Sequence, residues 1–90
     1  MAIVRIPNTL RPLSDGRGEL AVEGADLGAV LAALEAAHPG FEERLMHDDG
    51  RLLGFVNVFV DDTECRRLDA LATPVGPDTV VSIVPAVAGG

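Results

Sequence analysis

The chain has 90 residues, with 14 acidic against 7 basic side chains and a formal net charge of −7. That length suits one domain with a single core, and a hydrophobic content of 48% argues against a disordered chain. The negative charge opposes binding to nucleic acid or to an anionic membrane surface. No apolar run approaches the ~20 residues that span a bilayer, and the start lacks the pattern of a signal peptide. A cytoplasmic location is therefore expected, and the single Cys65 suits a reducing compartment.

Two short alternating segments near the N-terminus predict an antiparallel hairpin. Residues 2–6 and 19–23 both alternate apolar and polar side chains, as half-buried strands do. The first strand is expected to place Val4 and Ile6 on one face and Ile3 and Arg5 on the other. The stretch 8–18 between the strands is rich in glycine and proline and is interpreted as a turn-rich connection.

The clearest helix begins after Asp26, a residue type that caps helix N-termini well. Apolar side chains then follow at the spacing of one helix face: Leu27, Val30, Leu31, Leu34. Pro39 and Gly40 end the pattern. Gly28 in the first turn is unfavourable for a helix, and close approach to a strand is one reason that would explain it.

The second half of the chain contains the strongest strand signal. Residues 55–60 read FVNVFV, and their alternation is expected to turn three valines toward the helix. A tight acidic turn leads to a short strand around Cys65, and residues 68–75 look irregular. A final β-branched run at 79–84 predicts the last strand, which Pro85 should end because it lacks a backbone N–H.

This element order predicts an α+β fold of the β-grasp type, with a mixed sheet of four or five strands and one main helix. The first and last strands are expected to lie parallel at the centre of the sheet. Residues 1–84 form the domain in this interpretation, and residues 85–90 form a flexible reactive tail.

Groups suited to catalysis are poorly arranged in this sequence. His38 and His47 are the only histidines, and no cysteine or histidine pair has the spacing of a zinc site. The adjacent carboxylates at 42–43, 48–49 and 61–62 are expected to point apart into solvent. The sequence therefore predicts a protein that is not an enzyme and that binds no metal.

Cys65 is the one residue with nucleophilic character inside the predicted domain. Its neighbours Arg66 and Arg67 carry charges that lower a thiol pKa when they lie close to it. A cysteine in a short strand is nevertheless more often a packed side chain. Packing is the favoured interpretation.

The C-terminal segment carries more specific chemistry. Its residues are small and uncharged, and it ends in two glycines: Pro85, Ala86, Val87, Ala88, Gly89, Gly90. A terminal carboxylate, with a pKa of about 3.3–3.7, is ionised at neutral pH. It can attack the α-phosphate of ATP on an activating enzyme, and a thiol or persulfide sulfur can then displace AMP to leave a thiocarboxylate at Gly90. The alternative is an ordinary frayed terminus.

Four segments in order resemble the MoaD/ThiS family of ubiquitin-like sulfur carriers: LRP at 10–12, ERLM at 43–46, FVNV at 55–58 and PAVAGG at 85–90. The resemblance covers nearly the whole chain. Within the family it is strongest to the carrier of the O-phosphoserine route to cysteine. Ala86 supports this choice, because small subunits of molybdopterin synthase tend to have a second proline there.

The resemblance implies two partner proteins. An E1-like adenylyltransferase of the ThiF/MoeB type would use ATP to activate Gly90, after recognising the tail through Ala86, Val87, Ala88 and Gly89. A sulfur-accepting enzyme would then receive the tail, either a PLP-dependent cysteine synthase or an enzyme of thiazole, sugar or molybdopterin thiolation. Neither ATP nor PLP would bind this chain itself. Alternatives are a molybdopterin synthase small subunit, a ubiquitin-like protein modifier, or an interaction domain with an irrelevant tail.

The outward face of the predicted sheet is the expected docking surface for these partners. Phe59 is a large apolar residue on that face, and Val80 and Val84 of the last strand should share it near the tail. The alternative is that a loop covers Phe59. The free chain is expected to be a monomer.

Overall fold

The computed structural model describes residues 1–85, so the predictions for Ala86, Val87, Ala88, Gly89 and Gly90 lie outside the described residues. A five-stranded sheet in the order β2-β1-β5-β3-β4 forms one layer of the fold. Its strands are β1 Ala2–Arg5, β2 Glu19–Val22, β3 Val56–Val60, β4 Thr63–Glu64 and β5 Val80–Pro85. The helices are α1 Leu27–Ala37 and α2 Phe41–Leu45, and 3₁₀ helices span Asn8–Ser14, Cys65–Arg67 and Ala70–Ala72.

The sheet is mixed, and its parallel pair lies at the centre. β1 and β5 run parallel with Ile3 opposite Val80, while the β1–β2, β3–β4 and β3–β5 pairs are antiparallel. The predicted N-terminal hairpin and the predicted parallel centre are both confirmed. Together with the helix α1 these features give the α+β, β-grasp fold expected from the sequence.

One face of the sheet packs against α1 and forms the core. The alternating positions of each strand are buried as predicted, and so is the apolar stripe of the helix: Val4, Ile6, Leu27, Val30, Leu31, Leu34, Val56, Val58, Val60, Val81, Ile83. The Asp26 carboxylate accepts a hydrogen bond from the Ala29 N–H at 2.8 Å, which confirms its N-cap role. The helix therefore begins where the sequence predicts.

Gly28 does allow a close approach, but its neighbour is not a strand. A Cβ at this position would lie 3.2 Å from the carbonyl oxygen of Leu71, which belongs to the 3₁₀ helix Ala70–Ala72. Nothing in the local sequence pattern places the irregular stretch after β4 against the start of α1.

The junction of α1 and α2 is held by a single carboxylate. Glu35 accepts hydrogen bonds from the backbone N–H of Glu42 at 2.8 Å and of Gly40 at 3.1 Å. These two donors stabilise the ionised form, so they lower the pKa of Glu35 below its ordinary value. The short helix α2 thus depends on a side chain of the helix before it.

The connection between β1 and β2 differs from the predicted turns. A 3₁₀ helix occupies Asn8–Ser14, and Ser14 is fully buried with its hydroxyl donating to the Arg17 carbonyl at 2.7 Å. Pro12 lies inside this helix.

The predicted short strand around Cys65 is also corrected. β4 ends at Glu64, and Cys65 begins a 3₁₀ helix, Cys65–Arg67. The Glu64 carboxylate accepts a hydrogen bond from the Arg66 N–H at 3.1 Å, and this cap turns the chain out of the strand.

β5 continues one residue beyond the predicted end, because Pro85 pairs with Val56. The Thr79 carbonyl accepts a hydrogen bond from the Ile3 N–H of β1. Because backbone groups along a strand point alternately to its two sides, every second residue from Thr79 to Pro85 directs its backbone groups toward β1. The register with β1 stops at Ser82. The N–H that proline lacks would therefore have no ladder partner.

None of the helices in residues 1–85 is long and apolar enough to cross a membrane.

Candidate functional site

The site begins where the chain leaves the sheet, at the C-terminal end of β5. We call Pro85 and its register partner Val56 the tail root. The predicted modification site Gly90 lies five residues further on, outside the described residues. The structure therefore defines the surroundings of the root and not the reactive group.

β5 is the central strand of the sheet, and it pairs with β1 on one side and β3 on the other. Val81 is fully buried, and Ile83 is 3% exposed. At the start of the strand the Val80 N–H donates to Asp61 Oδ1 at 3.0 Å, and the Asp61 N–H donates to the Val80 carbonyl at 2.7 Å. The tail root thus stands on a rigid strand.

The sheet face opposite α1 brings together the three predicted docking residues. Phe59 lies opposite Ser82 in the β3–β5 register, so Val80 and Val84 are its diagonal neighbours at about 7–8 Å. Phe59 is half-buried, and Val84 is 45% exposed. We call Phe59, Val80 and Val84 the outer patch. Their shared face follows from the register, while their role in docking stays a prediction.

The outer patch has a charged edge on the side of β1 and β2. Arg5 lies opposite Glu19 and forms an ion pair with it at 3.3 Å, with both side chains well exposed. An exposed pair of this kind contributes little to stability. An apolar centre with a polar rim is the usual composition of a protein interface.

Phe55 is an exposed aromatic residue, and its position in the FVNVFV pattern predicts a strand. It instead lies in a turn, closed by a hydrogen bond from the Val56 N–H to the Leu53 carbonyl at 3.0 Å. Its side chain is 54% exposed and directly precedes the tail root. The preceding Gly54 was the signal for this turn, because glycine is unusual inside a strand.

A pocket of about 490 Å³ lies beside the same turn and was not predicted. Its lining combines basic and apolar side chains from three segments: His47, Arg51, Leu52, Gly54, Arg66, Ala70, Leu71. We call this the basic pocket. Arg66 is fixed in its wall by a hydrogen bond from Nη2 to the Leu53 carbonyl at 2.8 Å. Guanidinium groups above an apolar surface suit a carboxylate that carries a small apolar chain.

Cys65 is packed, as the favoured interpretation held, and burial outweighs the effect of Arg66 on the pKa of its thiol. The side chain is fully buried, and burial together with the Glu64 carboxylate raises the pKa of the thiol to about 11. Arg66 lowers the pKa by less than burial raises it, because it is itself paired with Glu64 at 3.2 Å. The thiol is thus protonated at neutral pH.

The other polar candidates are dispersed. Asp49 is paired with Arg51 at 2.9 Å, and the Asp61 carboxylate accepts a hydrogen bond from the backbone of β5. Within residues 1–85 no three histidine, cysteine, aspartate or glutamate side chains come close enough to hold a metal ion. The described part of the chain therefore offers a partly exposed apolar face and a pocket.

The β-grasp sheet, the single main helix and the terminal segment that follows a central strand define a ubiquitin-like protein. The chain belongs to the ThiS family, whose sequence model matches residues 4–90. The match extends through the terminal glycines, so it includes the residues beyond the tail root.

Individual relatives agree with this assignment and confirm the resemblance expected from the sequence. The chain is 44% identical over 89 residues to the sulfur carrier protein CysO of Mycobacterium tuberculosis, covering 97% of this chain and 96% of that protein. It is 40% identical over 68 residues to small archaeal modifier protein 3 of Haloferax volcanii, covering 76% and 73% respectively. Among solved structures, the Amycolatopsis orientalis BexX/CysO complex matches with a TM-score of 0.94 and 32% identity, covering 100% of both chains.

Proposed function

We propose that this protein is a sulfur carrier whose reactive group is the carboxylate of Gly90. The observation that carries the proposal is the near full-length similarity to a sulfur carrier, together with the family match through residue 90. The position of the tail root on a rigid central strand supports it, because such a strand presents the end of the chain to a partner in a constant direction.

The chemistry of loading has two steps. A carboxylate oxygen of Gly90 attacks the α-phosphorus of ATP on an E1-like enzyme of the ThiF/MoeB type, and the bond to pyrophosphate breaks. Hydrosulfide then attacks the acyl carbon of this mixed anhydride, AMP leaves with its electron pair, and a proton is released. The product is a thiocarboxylate at Gly90. This chain supplies the acyl group, while ATP binding and water exclusion belong to the activating enzyme.

The outer patch is proposed as the surface that the activating enzyme recognises. Phe59 and Val84 offer partly exposed apolar area, and the Arg5–Glu19 pair at its edge gives the rim a fixed polarity. Such patches are the usual location of binding hot spots. The tail residues Ala86, Val87, Ala88 and Gly89 would then enter the enzyme's channel. The free chain is proposed to be a monomer that binds neither ATP nor PLP.

The proposed recipient of the sulfur is a PLP-dependent cysteine synthase, in line with the similarity to CysO. The thiocarboxylate would transfer sulfur to an activated serine derivative and return the carboxylate. Cysteine formation from O-phosphoserine, measured with the loaded carrier and such a synthase, tests this assignment. Absence of cysteine while the carrier is loaded would direct the search to thiazole, sugar or molybdopterin thiolation.

The intact mass of the protein tests the loading step. After incubation with a ThiF/MoeB-type enzyme, ATP and sulfide, we expect a mass increase that corresponds to exchange of one oxygen for sulfur. A variant with one extra residue after Gly90 is the control, and its mass should not change, because the carboxylate is displaced from the α-phosphate. An equal increase in both proteins would contradict a reaction at the terminus.

Protein modification is the second candidate function, favoured by the similarity to a small archaeal modifier protein. The same adenylate would then be attacked by a lysine amine of another protein, forming an amide as AMP leaves. This chain contains no lysine, so it is a poor acceptor for its own kind. Isopeptide-linked Gly90 remnants on cellular proteins would support this function.

A further inference from the structure

We propose that Asn57 and Ser82, which lie among the apolar residues of the outer patch, determine which protein can dock there. We call these two residues the polar pair. The inference rests on the proposed function, because it concerns recognition of the patch by the activating enzyme. A matching enzyme supplies hydrogen bonds to the polar pair, and a merely apolar surface does not.

The β3–β5 register brings the polar pair into one square with two apolar side chains. Ser82 lies opposite Phe59, and Asn57 lies opposite Val84, all on the sheet face away from α1. Opposite side chains on one face are about 5 Å apart, and diagonal ones are about 7–8 Å apart. Polar and apolar groups therefore alternate around the square, next to the tail root. A protein that contacts Phe59 and Val84 also covers the polar pair.

The stability of the sheet does not account for the polar pair. β3 and β5 are inner strands, where β-branched and aromatic residues pack well and asparagine is unfavourable. Asn57 and Ser82 each interrupt a run of valine, isoleucine or phenylalanine. A face that meets only water is polar along its length, whereas here the polar residues alternate with Phe59 and Val84. Departures of this kind from local preference are expected at functional positions.

The side chains of the polar pair are half-buried and form no hydrogen bond with any group of residues 1–85. An amide and a hydroxyl each contain a donor and an acceptor. When a protein covers this face and displaces water, each group left without a partner weakens binding by about 10-fold. The polar pair therefore discriminates between protein surfaces of equal apolar area.

A recognition role for Ser82 predicts an effect opposite in sign to that of a purely apolar patch. If only apolar area mattered, replacing its hydroxyl by a methyl group would tighten binding. If the hydroxyl bonds to the enzyme, the same replacement leaves a group of the enzyme unpaired and weakens binding. Threonine and valine are both β-branched and alike in shape, so Ser82→Thr and Ser82→Val differ in this group alone.

The test measures pyrophosphate release by the activating enzyme, with ATP and sulfide, at increasing concentrations of each carrier variant. We expect the KM of Ser82→Val to be about 10-fold higher than that of Ser82→Thr, with a similar kcat, because only binding is lost. Asn57→Leu, which keeps the approximate shape of asparagine, should raise KM above that of the native protein by a similar factor.

Thr63→Val is the matched control for the exchange of hydroxyl for methyl. Thr63 lies opposite the buried Val60, so its side chain is on the α1 side of the sheet and outside the outer patch. The KM of this variant should equal that of the native protein. A rise in KM as large as that of Ser82→Val would overturn the proposal, because the effect would not depend on the face.

Equal KM values for Ser82→Val and Ser82→Thr, or a lower value for Ser82→Val, would also overturn the proposal. A lower urea midpoint for Ser82→Val than for Ser82→Thr would assign the hydroxyl to the fold, with the same consequence. A native protein that is not loaded in the intact-mass test would contradict the proposed function and this inference together. A loaded native protein with equal KM values for the two variants contradicts this inference alone.

Discussion

The outer patch and the basic pocket both adjoin the tail root, but they are built in different ways. The patch lies on regular strands whose register fixes its three apolar side chains on one face. The pocket is assembled from a loop, a turn and two 3₁₀ helices, and it carries guanidinium groups. A surface on regular strands therefore follows from their register, whereas the pocket depends on segments that meet only in the tertiary fold.

The largest expected effect tests how well the protein shields the buried Cys65 thiol, which lies next to the pocket residue Arg66 in sequence. Cys65 precedes the pocket residue Arg66, and burial raises the pKa of its thiol to about 11 from 9.0. The thiolate fraction at neutral pH should therefore be about 100-fold smaller than for an unperturbed thiol. Alkylation by iodoacetamide, followed by mass spectrometry, should be slow in the native protein and fast in urea. Rapid native alkylation would show that the thiol is not shielded.

The next prediction concerns a substitution that disrupts the outer patch and leaves the basic pocket unchanged. Phe59→Asp places a charge in the apolar centre, and we expect activation by the adenylating enzyme to fall about 30-fold, as for a hot spot of about 2 kcal/mol. Pyrophosphate release measures activation, and circular dichroism checks the fold. Ala32→Asp on the exposed side of α1 is the matched control. Equal rates of pyrophosphate release for the two folded variants would contradict a role of the outer patch in recognition by the adenylating enzyme.

A smaller effect concerns backbone strain in the pocket wall. Ala70 has a φ of 50°, in the left-handed region that costs a residue with a Cβ about 1–2 kcal/mol. Part of that cost is offset by the greater freedom of glycine in the unfolded chain. Ala70→Gly should therefore stabilise the protein by about 0.5–1 kcal/mol in urea unfolding. Ala72→Gly, in the same 3₁₀ helix without positive φ, should not; a loss of stability in both variants would argue against strain at Ala70.

The smallest effect is pH-dependent and lies at the α1–α2 junction that precedes the pocket loop. Backbone N–H groups of Glu42 and Gly40 hold the pKa of Glu35 below its ordinary value. A lowered folded-state pKa stabilises the fold above the unfolded-state pKa, and this contribution is lost as the pH falls through the folded-state value. Glu35→Gln should melt lower than the native protein at neutral pH, with the gap narrowing in acid. A constant gap would contradict this, and Glu43→Gln is the exposed control.

The parts of the structure that the sequence predicts are those with a regular period. The stripe from Leu27 to Leu34 repeats at helical spacing and is buried, and the valines at 56, 58 and 60 alternate and are buried too. Since register follows from alternation, the outer patch was predictable from the same pattern. Phe59, Val80 and Val84 therefore lie on the expected face.

The parts of the structure that were not predicted have no periodic pattern in the sequence. The 3₁₀ helices at Asn8–Ser14 and Ala70–Ala72 are too short to give a pattern, and glycine and proline within or beside the first one imitate turns. The basic pocket joins Arg51 and Arg66, which are distant in sequence and meet only through the tertiary fold. Local sequence cannot place such residues together.

In the proposed function sulfur is carried on the terminal carboxyl group, and fragmentation of the intact loaded protein locates it. We expect an oxygen-to-sulfur exchange found only in fragments that contain Gly90. Cys65 is the one cysteine of the chain, and a persulfide there, which sulfide forms only when an oxidant is also present, would add a whole sulfur atom instead of exchanging one. Sulfur located at Cys65, or an unchanged Gly90 after complete reaction with ATP and sulfide, would contradict the account.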